Sequence, residues 1–152
     1  MCLFTNLGKA CTAEKDITCY KLVYPGDRWN MPVNVFKGMV MDFQYKVGET
    51  YDEPLFRSTP IFNNKGTGGD VYKGFHSYRT LSEAVSWATK WCIILKCVIP
   101  KGSRYYYNPD KTYYCSDKIR IEAWRQTGLR PLVWNTKQRT KEDAIKAFNM
   151  YN

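Results

Sequence analysis

The sequence has few of the features that a membrane protein or a zinc protein requires. Its longest apolar run, residues 91–100, is interrupted by Lys96 and falls well short of the roughly 18 residues of a membrane-spanning helix. His76 is the only histidine, and the six cysteines include no Cys-x-x-Cys pair, so the closely spaced ligands of a structural zinc site are missing. The first residues carry neither a basic flank nor a long apolar segment, which is unlike a secretory signal. We therefore expect a soluble, intracellular protein without a metal site.

The apolar content is sufficient for one hydrophobic core. Hydrophobic residues make up 44% of the chain and aromatic residues 16%, whereas a disordered polyelectrolyte would be poor in aromatics. A length of 152 residues is the usual size of one domain, so we expect a single domain over the whole chain. Cys19, Cys92 and Cys97 fall in apolar, strand-like runs, and we expect them to be reduced structural thiols. Removal of the initiator methionine would expose Cys2, which leaves an N-terminal nucleophile as an open alternative.

The net charge of +9 is concentrated in the second half of the chain. Residues 1–76 hold 9 Lys or Arg and 8 Asp or Glu, and residues 77–152 hold 14 and 6. A basic half attracts nucleic acid, an anionic nucleotide or an acidic protein surface through its long-range field. The cations are dispersed and never form a run of five, which is also typical of a surface charged for solubility alone. The charge therefore leaves both interpretations open.

Apolar runs and turn residues predict most of the strands. We expect strands over residues 16–24, 39–47, 71–78 and 92–99, and a hairpin that joins 104–108 to 113–124. Residues 28–38 are predicted to be irregular, and residues 52–70 to form a long, glycine-rich loop.

Two helices are predicted between and after these strands. Thr80 and Glu83 form a capping box before a helix over residues 81–90. The apolar spacing of this helix predicts the burial of Leu81, Ala84, Val85 and Ala88. A second helix is expected over residues 140–148. Many strands with two or so helices indicate an α+β fold, a single domain with a mixed or antiparallel sheet.

Five tyrosines lie within ten positions of the predicted hairpin, among basic residues. They are Tyr105, Tyr106, Tyr107, Tyr113 and Tyr114, with Arg104 and Lys118 beside them. Alternate residues of a hairpin face opposite sides, so we expect about half of these rings to be exposed near cations. Such a surface can be a stacking platform for bases, a protein interface or a plain amphipathic sheet. We take Arg104, Tyr105, Tyr106 and Lys118 as the candidate binding residues.

Several short blocks between residues 1 and 121 carry a resemblance. The blocks are Met1-Cys2-Leu3-Phe4, Ile17-Thr18-Cys19-Tyr20-Lys21, Gly74-Phe75-His76-Ser77-Tyr78, Cys97-Val98-Ile99-Pro100-Lys101-Gly102-Ser103 and Tyr114-Cys115-Ser116-Asp117-Lys118-Ile119. They resemble a family of small uncharacterised proteins encoded by bacteriophages and their hosts. The resemblance implies a viral or mobile-element origin, a location in the host cytoplasm or the virion, and a viral or host protein as the partner.

Three positions carry a second, weaker resemblance, to the ADP-ribosyltransferase fold. Tyr20-Lys21 lies on the first central strand, Phe75-His76-Ser77 precedes the capped helix, and Ser116-Asp117 or Glu122 lies on a late strand. The resemblance implies NAD as the cofactor, with a catalytic set of His76, Tyr20 and either Asp117 or Glu122, and with Lys21 and Ser77 in binding. Lys21 replaces the NAD-anchoring residue of that fold, and Asp117 is one methylene shorter than its glutamate.

The leading expectation is a non-enzymatic interaction module. Its basic, tyrosine-rich face would bind a protein or an anionic nucleotide-like ligand. The alternative is an NAD-consuming transferase that uses the catalytic set above. Nucleic-acid binding ranks third, because the sequence contains no recognition helix, zinc finger or RNA-binding aromatic signature.

Overall fold

A computed structural model describes residues 3–5, 11–38, 43–53, 56–57, 69–107, 112–128 and 133–151. The strands are β1 (Leu3–Thr5), β2 (Cys11–Thr12), β3 (Ile17–Pro25), β4 (Phe36–Gly38), β5 (Gln44–Tyr45), β6 (Thr50–Asp52), β7 (Phe56–Arg57), β8 (Gly69–Lys73), β9 (Phe75–Tyr78), β10 (Ile93–Ile99), β11 (Arg104–Tyr107), β12 (Tyr113–Ser116) and β13 (Lys118–Gln126). The helices are α1 (Leu81–Trp87) and α2 (Lys141–Tyr151), and a short 3-10 helix covers Gly26–Trp29. The fold is therefore α+β.

All the strand pairs in the described residues are antiparallel. Ten strands form one open sheet in the order β2-β11-β12-β9-β3-β10-β13-β6, with β4 and β5 attached at the edge of β3. A smaller sheet has the order β1-β8-β7. The expected mixed or antiparallel sheet is thus confirmed as antiparallel.

The centre of the larger sheet is the pair of strands β3 and β10. All seven residues of β10 pair with β3, and β13 pairs with its other edge. Its sequence is rich in aliphatic and β-branched residues, and six of its seven residues are buried, as expected for a strand covered on both faces. The central strands predicted over residues 16–24 and 92–99 are confirmed to within one residue at each end.

A hydrophobic core lies on each face of this sheet. The main core is built from alternate residues of β3, β10 and β13 and is closed by aromatic side chains from β4, β5 and β9. On the opposite face, Ala84 of α1 packs against Leu22 and Ile94, and Trp134 covers the edge of this second core.

Helix α1 begins where the capping box predicts and ends earlier than predicted. The backbone N–H of Glu83 donates to the Thr80 hydroxyl oxygen over 3.2 Å, which confirms Thr80 as the N-cap. The helix ends at Trp87 rather than at residue 90.

The predicted burial of Val85 on α1 is wrong. Its side chain is 46% exposed. Leu81, Ala84 and Ala88 form the stripe that faces the sheet, and Val85 lies to one side of that stripe. In so short a helix the sheet contacts only one narrow row of side chains.

Two predictions about the first half of the chain also need correction. Residues 28–38 are not wholly irregular, because β4 pairs with both β3 and β5. Residues 52–70 are not a single loop, since β6, β7 and β8 all enter this range. Residues 58–68 with the glycine-rich segment, residues 39–42 of the predicted strand, and Cys2 lie outside the described residues.

The tyrosine-rich hairpin is confirmed, with one break. Strands β11 and β12 pair as predicted. The single strand expected over residues 113–124 is two strands, because Asp117 interrupts it and exchanges hydrogen bonds with the backbone of Arg104. No helix among the described residues is long and apolar enough to cross a membrane.

Candidate functional site

Lys21 is a buried cation in the main core. It lies on β3 between Cys19 and Val23, and strand alternation directs all three side chains inward. Lys21 is only 8% exposed. Its ammonium group donates a hydrogen bond to the backbone carbonyl oxygen of His76 and lies 5.3 Å from the centroid of the Tyr45 ring. Both partners are neutral, although burial of a charge is unfavourable without a compensating one.

Lys21 lies at the place along β3 where the neighbouring strand changes from β9 to β4. On this edge of β3, Tyr20 pairs with Tyr78 of β9, whereas Val23–Pro25 pair with β4. His76 precedes Tyr78 by two residues on β9, and its backbone carbonyl oxygen accepts the hydrogen bond from the Lys21 ammonium group. Because an unpaired buried carbonyl destabilises a fold, this contact gives Lys21 a structural role that needs no ligand.

Two thiols and a hydroxyl lie near this ammonium group. Cys97 is directly opposite Cys19 in the β3–β10 register, and both are fully buried. Burial alone would raise the pKa of Cys19, but the neighbouring Cys97 and Ser77 side chains and the Lys21 charge lower it below its usual value. The pKa of Cys97 is raised well above its usual value by burial and by its contact with Cys19. This group of five residues is named here the Lys21 cluster: Lys21, Cys19, Cys97, Ser77 and Tyr45. Within it, Cys19 is the thiol whose pKa is lowered and Cys97 the thiol whose pKa is raised.

The Ser77 hydroxyl is the least constrained group of the Lys21 cluster. Ser77 is 3% exposed, and its oxygen has no hydrogen-bond partner among the described residues. It lies close enough to Cys19 to stabilise a thiolate there. A hydroxyl in this state can donate to an anion that forms beside it.

His76 and Cys115 form a neutral pair. They are opposite each other in the β9–β12 register, with His76 Nε2 3.7 Å from Cys115 Sγ. Burial and the Lys21 charge lower the pKa of His76 to about 4, so its imidazole is neutral at pH 7. Burial raises the pKa of Cys115 to about 12. Since a nucleophilic cysteine needs a lowered pKa, this pair is not an activated thiol.

Tyr20 and His76, two members of the expected catalytic set, are close in the sheet but have different partners. His76 and Tyr78 share one face of β9, and Tyr78 pairs with Tyr20. The Tyr20 ring stacks on Trp134 with centroids 6.1 Å apart, on the face covered by α1. His76 instead contacts Cys115.

Asp117 and Glu122, the other two members, are held by structural contacts. The Asp117 carboxylate accepts a hydrogen bond from the Arg104 backbone over 2.9 Å, which fixes the break between β12 and β13. Glu122 accepts one from Arg120 Nε over 2.8 Å, in a half-exposed ion pair. Neither carboxylate contacts Tyr20 or His76 in the described structure. The four residues therefore do not form a single constellation.

Three of the hairpin tyrosines form a continuous, half-buried surface. The Tyr105 ring contacts those of Tyr107 and Tyr114, with centroids 6.4 and 5.8 Å apart. Tyr107 is opposite Tyr114 in the β11–β12 register, so all three project from one face, named here the tyrosine face. Arg79 is exposed, follows β9 and donates its backbone N–H to the Thr112 carbonyl oxygen, so strand alternation places it on the same face as Ser77, the register partner of Tyr114. Burial raises the pKa of Tyr114, and the Arg79 charge acts to lower it.

Other residues expected to bind lie away from the tyrosine face. Tyr106 is 8% exposed and points to the other side of β11. Arg104 is exposed but alternates with Tyr105, so it lies on the Tyr106 side, and Lys118 begins a different strand, β13. The burial of Tyr106 removes it from the candidate binding residues. Arg79 was not among the predicted binding residues, because it lies outside the hairpin.

A second buried cation, which the sequence analysis missed, connects two distant segments. The Arg139 side chain is fully buried, and its Nη1 donates to the carboxylate of Asp27 in the 3-10 helix. Its Nη2 lies 3.5 Å from the side-chain oxygen of Gln126. No short-range pattern in the sequence distinguishes this arginine from the surface cations.

Comparison with protein-family models, curated proteins and solved structures finds no match to this chain. No group of three or more His, Cys, Asp or Glu side chains in the described ranges is arranged to hold a metal. Lys21 and Ser77, the residues expected to bind NAD, are both buried in the Lys21 cluster. Two features of the described structure can therefore carry a function, the tyrosine face and the Lys21 cluster.

Proposed function

We propose that this protein is a non-enzymatic interaction module that binds an acidic protein partner through the tyrosine face and Arg79. The observation that carries the proposal is the contact among Tyr105, Tyr107 and Tyr114 in one half-buried surface beside a cation, with Tyr105 and Tyr114 packed against the main core. Tyrosine and arginine are enriched at the residues that contribute most to protein–protein affinity. Tyrosine supplies a large, rigid contact area with a polar end.

The angles between the rings favour a protein over a nucleotide. Tyr105 is inclined by 39° to Tyr107 and by 84° to Tyr114. The surface therefore presents a mixture of ring edges and faces rather than a set of parallel planes. A base stacks best on an open, flat ring face, whereas side chains of a protein pack against edges and faces alike.

The charge of the chain favours an acidic partner. Residues 77–152 carry a net charge of +8, from 14 basic and 6 acidic residues, and they include all three tyrosines and Arg79. A basic surface accelerates association with an acidic one and disfavours basic competitors. The resemblance to phage-encoded proteins directs the search to virion and host proteins.

A matched pair of double variants tests the proposal. Arg79→Ala with Tyr107→Ala removes one cation and one ring from the tyrosine face. Arg104→Ala with Tyr113→Ala removes the same two residue types from the opposite face of the same hairpin region. Each purified full-length protein is immobilised and incubated with lysate from cells that carry the gene, and the retained proteins are quantified by mass spectrometry.

The expected result is an acidic protein retained by the wild type and by the Arg104/Tyr113 variant. We expect the Arg79/Tyr107 variant to bind it about 30-fold more weakly, the effect of losing about 2 kcal/mol at a hot spot. Equal retention by both variants would contradict the proposal. Retention that nuclease treatment abolishes, or recovery of a nucleotide in place of a protein, would also contradict it.

A further inference from the structure

Two cysteines face each other across the central strands of the larger sheet. Cys19 of β3 and Cys97 of β10 are register partners, and both are fully buried in the main core. Directly opposed residues of an antiparallel pair have Cα atoms about 4.5 or 5.5 Å apart. Both separations lie within the roughly 4.4–6.8 Å that a disulfide spans. The register of the two strands therefore gives the Cys19 and Cys97 Cα atoms a separation that a disulfide can span.

No other described cysteine has this arrangement. Cys115 is opposite His76 and Tyr106, Cys11 is opposite Tyr105, and the Cys92 sulfur contacts Thr89. All five described cysteines are free thiols. Cys115 is as fully buried as the opposed pair and so provides a matched comparison for the effect of register.

Lys21 places a positive charge beside the opposed thiols. It is two residues from Cys19 on the same face of β3, and its register partner Leu95 is two residues from Cys97. Among the described residues, no carboxylate forms an ion pair with Lys21. A thiolate at Cys19 is the anion that would neutralise this buried ammonium, and a thiolate is the reactive form of cysteine.

We propose that Cys19 and Cys97 are an oxidative modification site at which a hydroperoxide forms a cross-strand disulfide. The Cys19 thiolate attacks one oxygen of the peroxide, the O–O bond breaks, and Cys19 becomes a sulfenic acid while hydroxide leaves. The Cys97 thiol then attacks the Cys19 sulfur, the S–O bond breaks, and the hydroxyl group leaves as water with the Cys97 proton. The two sulfurs lose two electrons in total, and the peroxide gains both.

The position of the pair suits a small oxidant. Hydrogen peroxide is uncharged and little larger than water, so it reaches a buried thiol with less opening of the fold than a thiol reagent requires. Lys21 lies where β9 and β4 diverge along the edge of β3, which is a short interruption in the ladder beside Cys19. Ser77, with its unpartnered hydroxyl, borders the same part of the core.

The test begins with the wild-type protein and needs no variant. Fully reduced protein is treated with hydrogen peroxide, unfolded, alkylated and digested. The expected product has an intact mass lower by two hydrogen atoms and a peptide pair that is linked between Cys19 and Cys97. Full alkylation of both cysteines after treatment, or a link that involves Cys115 instead, would overturn the proposal.

Variants then separate the two steps. With Cys97→Ser, we expect Cys19 to stop at the sulfenic acid, which a cyclic 1,3-diketone such as dimedone labels when it is present as the protein is unfolded after the peroxide is removed. With Cys115→Ser, we expect the Cys19–Cys97 link to form as in the wild type. Far-UV circular dichroism identifies any variant that has not folded, and the wild-type peptide map decides the proposal without it.

The contribution of Lys21 is measured as a rate. Lys21→Met is expected to slow formation of the link, because loss of the Lys21 charge raises the pKa of Cys19 and so lowers the fraction of the reactive thiolate. Lys96→Met removes a half-buried lysine of β10 and is the control, with an unchanged rate expected. Equal rates for the two variants would show that the ammonium does not activate Cys19 and would overturn this part of the proposal.

Discussion

The ammonium group of Lys21 binds the backbone carbonyl of His76 and thereby joins β3 to β9 beside the point where β4 replaces β9 as the neighbour of β3. The same ammonium acts on the His76 imidazole, because its charge opposes protonation of the ring. Lys21 thus binds the backbone of β9 at His76, and its charge adds to burial in lowering the pKa of the single histidine of the chain. Both effects can be measured separately.

Replacement of Lys21 by methionine is expected to raise the pKa of His76. The wild-type value is about 4, lowered first by burial and then by the Lys21 charge. Methionine removes the charge and the hydrogen bond to the His76 carbonyl but leaves the ring buried, so the pKa should rise and stay below the ordinary 6.5. Because the sequence contains no other histidine, proton NMR of the ring during a pH titration gives this pKa without assignment.

Lys96→Met is the control for this titration, since it removes a positive charge from the neighbouring strand without touching His76. An unchanged pKa in the Lys21 variant, or equal shifts in both variants, would contradict the inferred effect of the buried ammonium.

His76 should also make the stability of the protein depend on pH. Its pKa is about 4 in the folded state and about 6.5 when unfolded, so between these values the unfolded chain binds more protons. The free energy of unfolding should therefore be highest above pH 6.5 and fall by up to about 3 kcal/mol as the pH decreases to 4. Urea unfolding at a series of pH values measures this slope.

The matched variant for this dependence is His76→Gln, which cannot take up a proton. Between pH 6.5 and 4, the free energy of unfolding of this variant should change less with pH than that of the wild type. An equal change in the two proteins would assign the acid sensitivity to other groups.

The strands and the start of α1 were accessible to sequence reasoning because their signals are local. Apolar residues on both faces identify β3 and β10 as central, and the hydroxyl of Thr80 with Glu83 identifies a helix start. Register is different, because it depends on contacts between segments far apart in the chain. The opposition of Cys19 and Cys97 joins residues 78 positions apart, and the apolar pattern of each strand carries no information about that pairing.

The candidate sites show the same limit. Alternation predicts that Tyr105 and Tyr106 face opposite sides of a hairpin, but it does not tell which side is inward. The structure buries Tyr106 and leaves Tyr105 on the tyrosine face. Arg79 approaches this face from β9's end, and Tyr45 approaches Lys21 from β5, so both depend on tertiary packing.

Loss of the N-cap is expected to weaken α1. Thr80→Ala removes the hydroxyl that accepts from the Glu83 backbone, and such a loss lowers stability by about 1 kcal/mol. Ser82→Ala, an exposed position in the same first turn, is the control and should change stability by less than about 0.5 kcal/mol. Urea unfolding followed by circular dichroism compares the two. Equal losses of stability in the two variants would show that the Thr80 hydroxyl does not stabilise the start of α1.

The largest predicted loss of stability comes from neutralising Asp27. Arg139 is fully buried, and its ion pair with Asp27 is the only one that the described residues give it. Asp27→Asn leaves the guanidinium buried without an opposite charge, and breaking a buried pair in this way lowers stability by about 3–5 kcal/mol. The Asp27 side chain is 32% exposed, so we expect the lower end of this range.

Adding Arg139→Met to the Asp27→Asn variant removes the uncompensated charge and should restore part of the lost stability, because methionine fills the site without needing an ion partner. Urea midpoints of the single and double variants measure this recovery. If the double variant is no more stable than Asp27→Asn alone, the guanidinium is stabilised by contacts other than the Asp27 carboxylate.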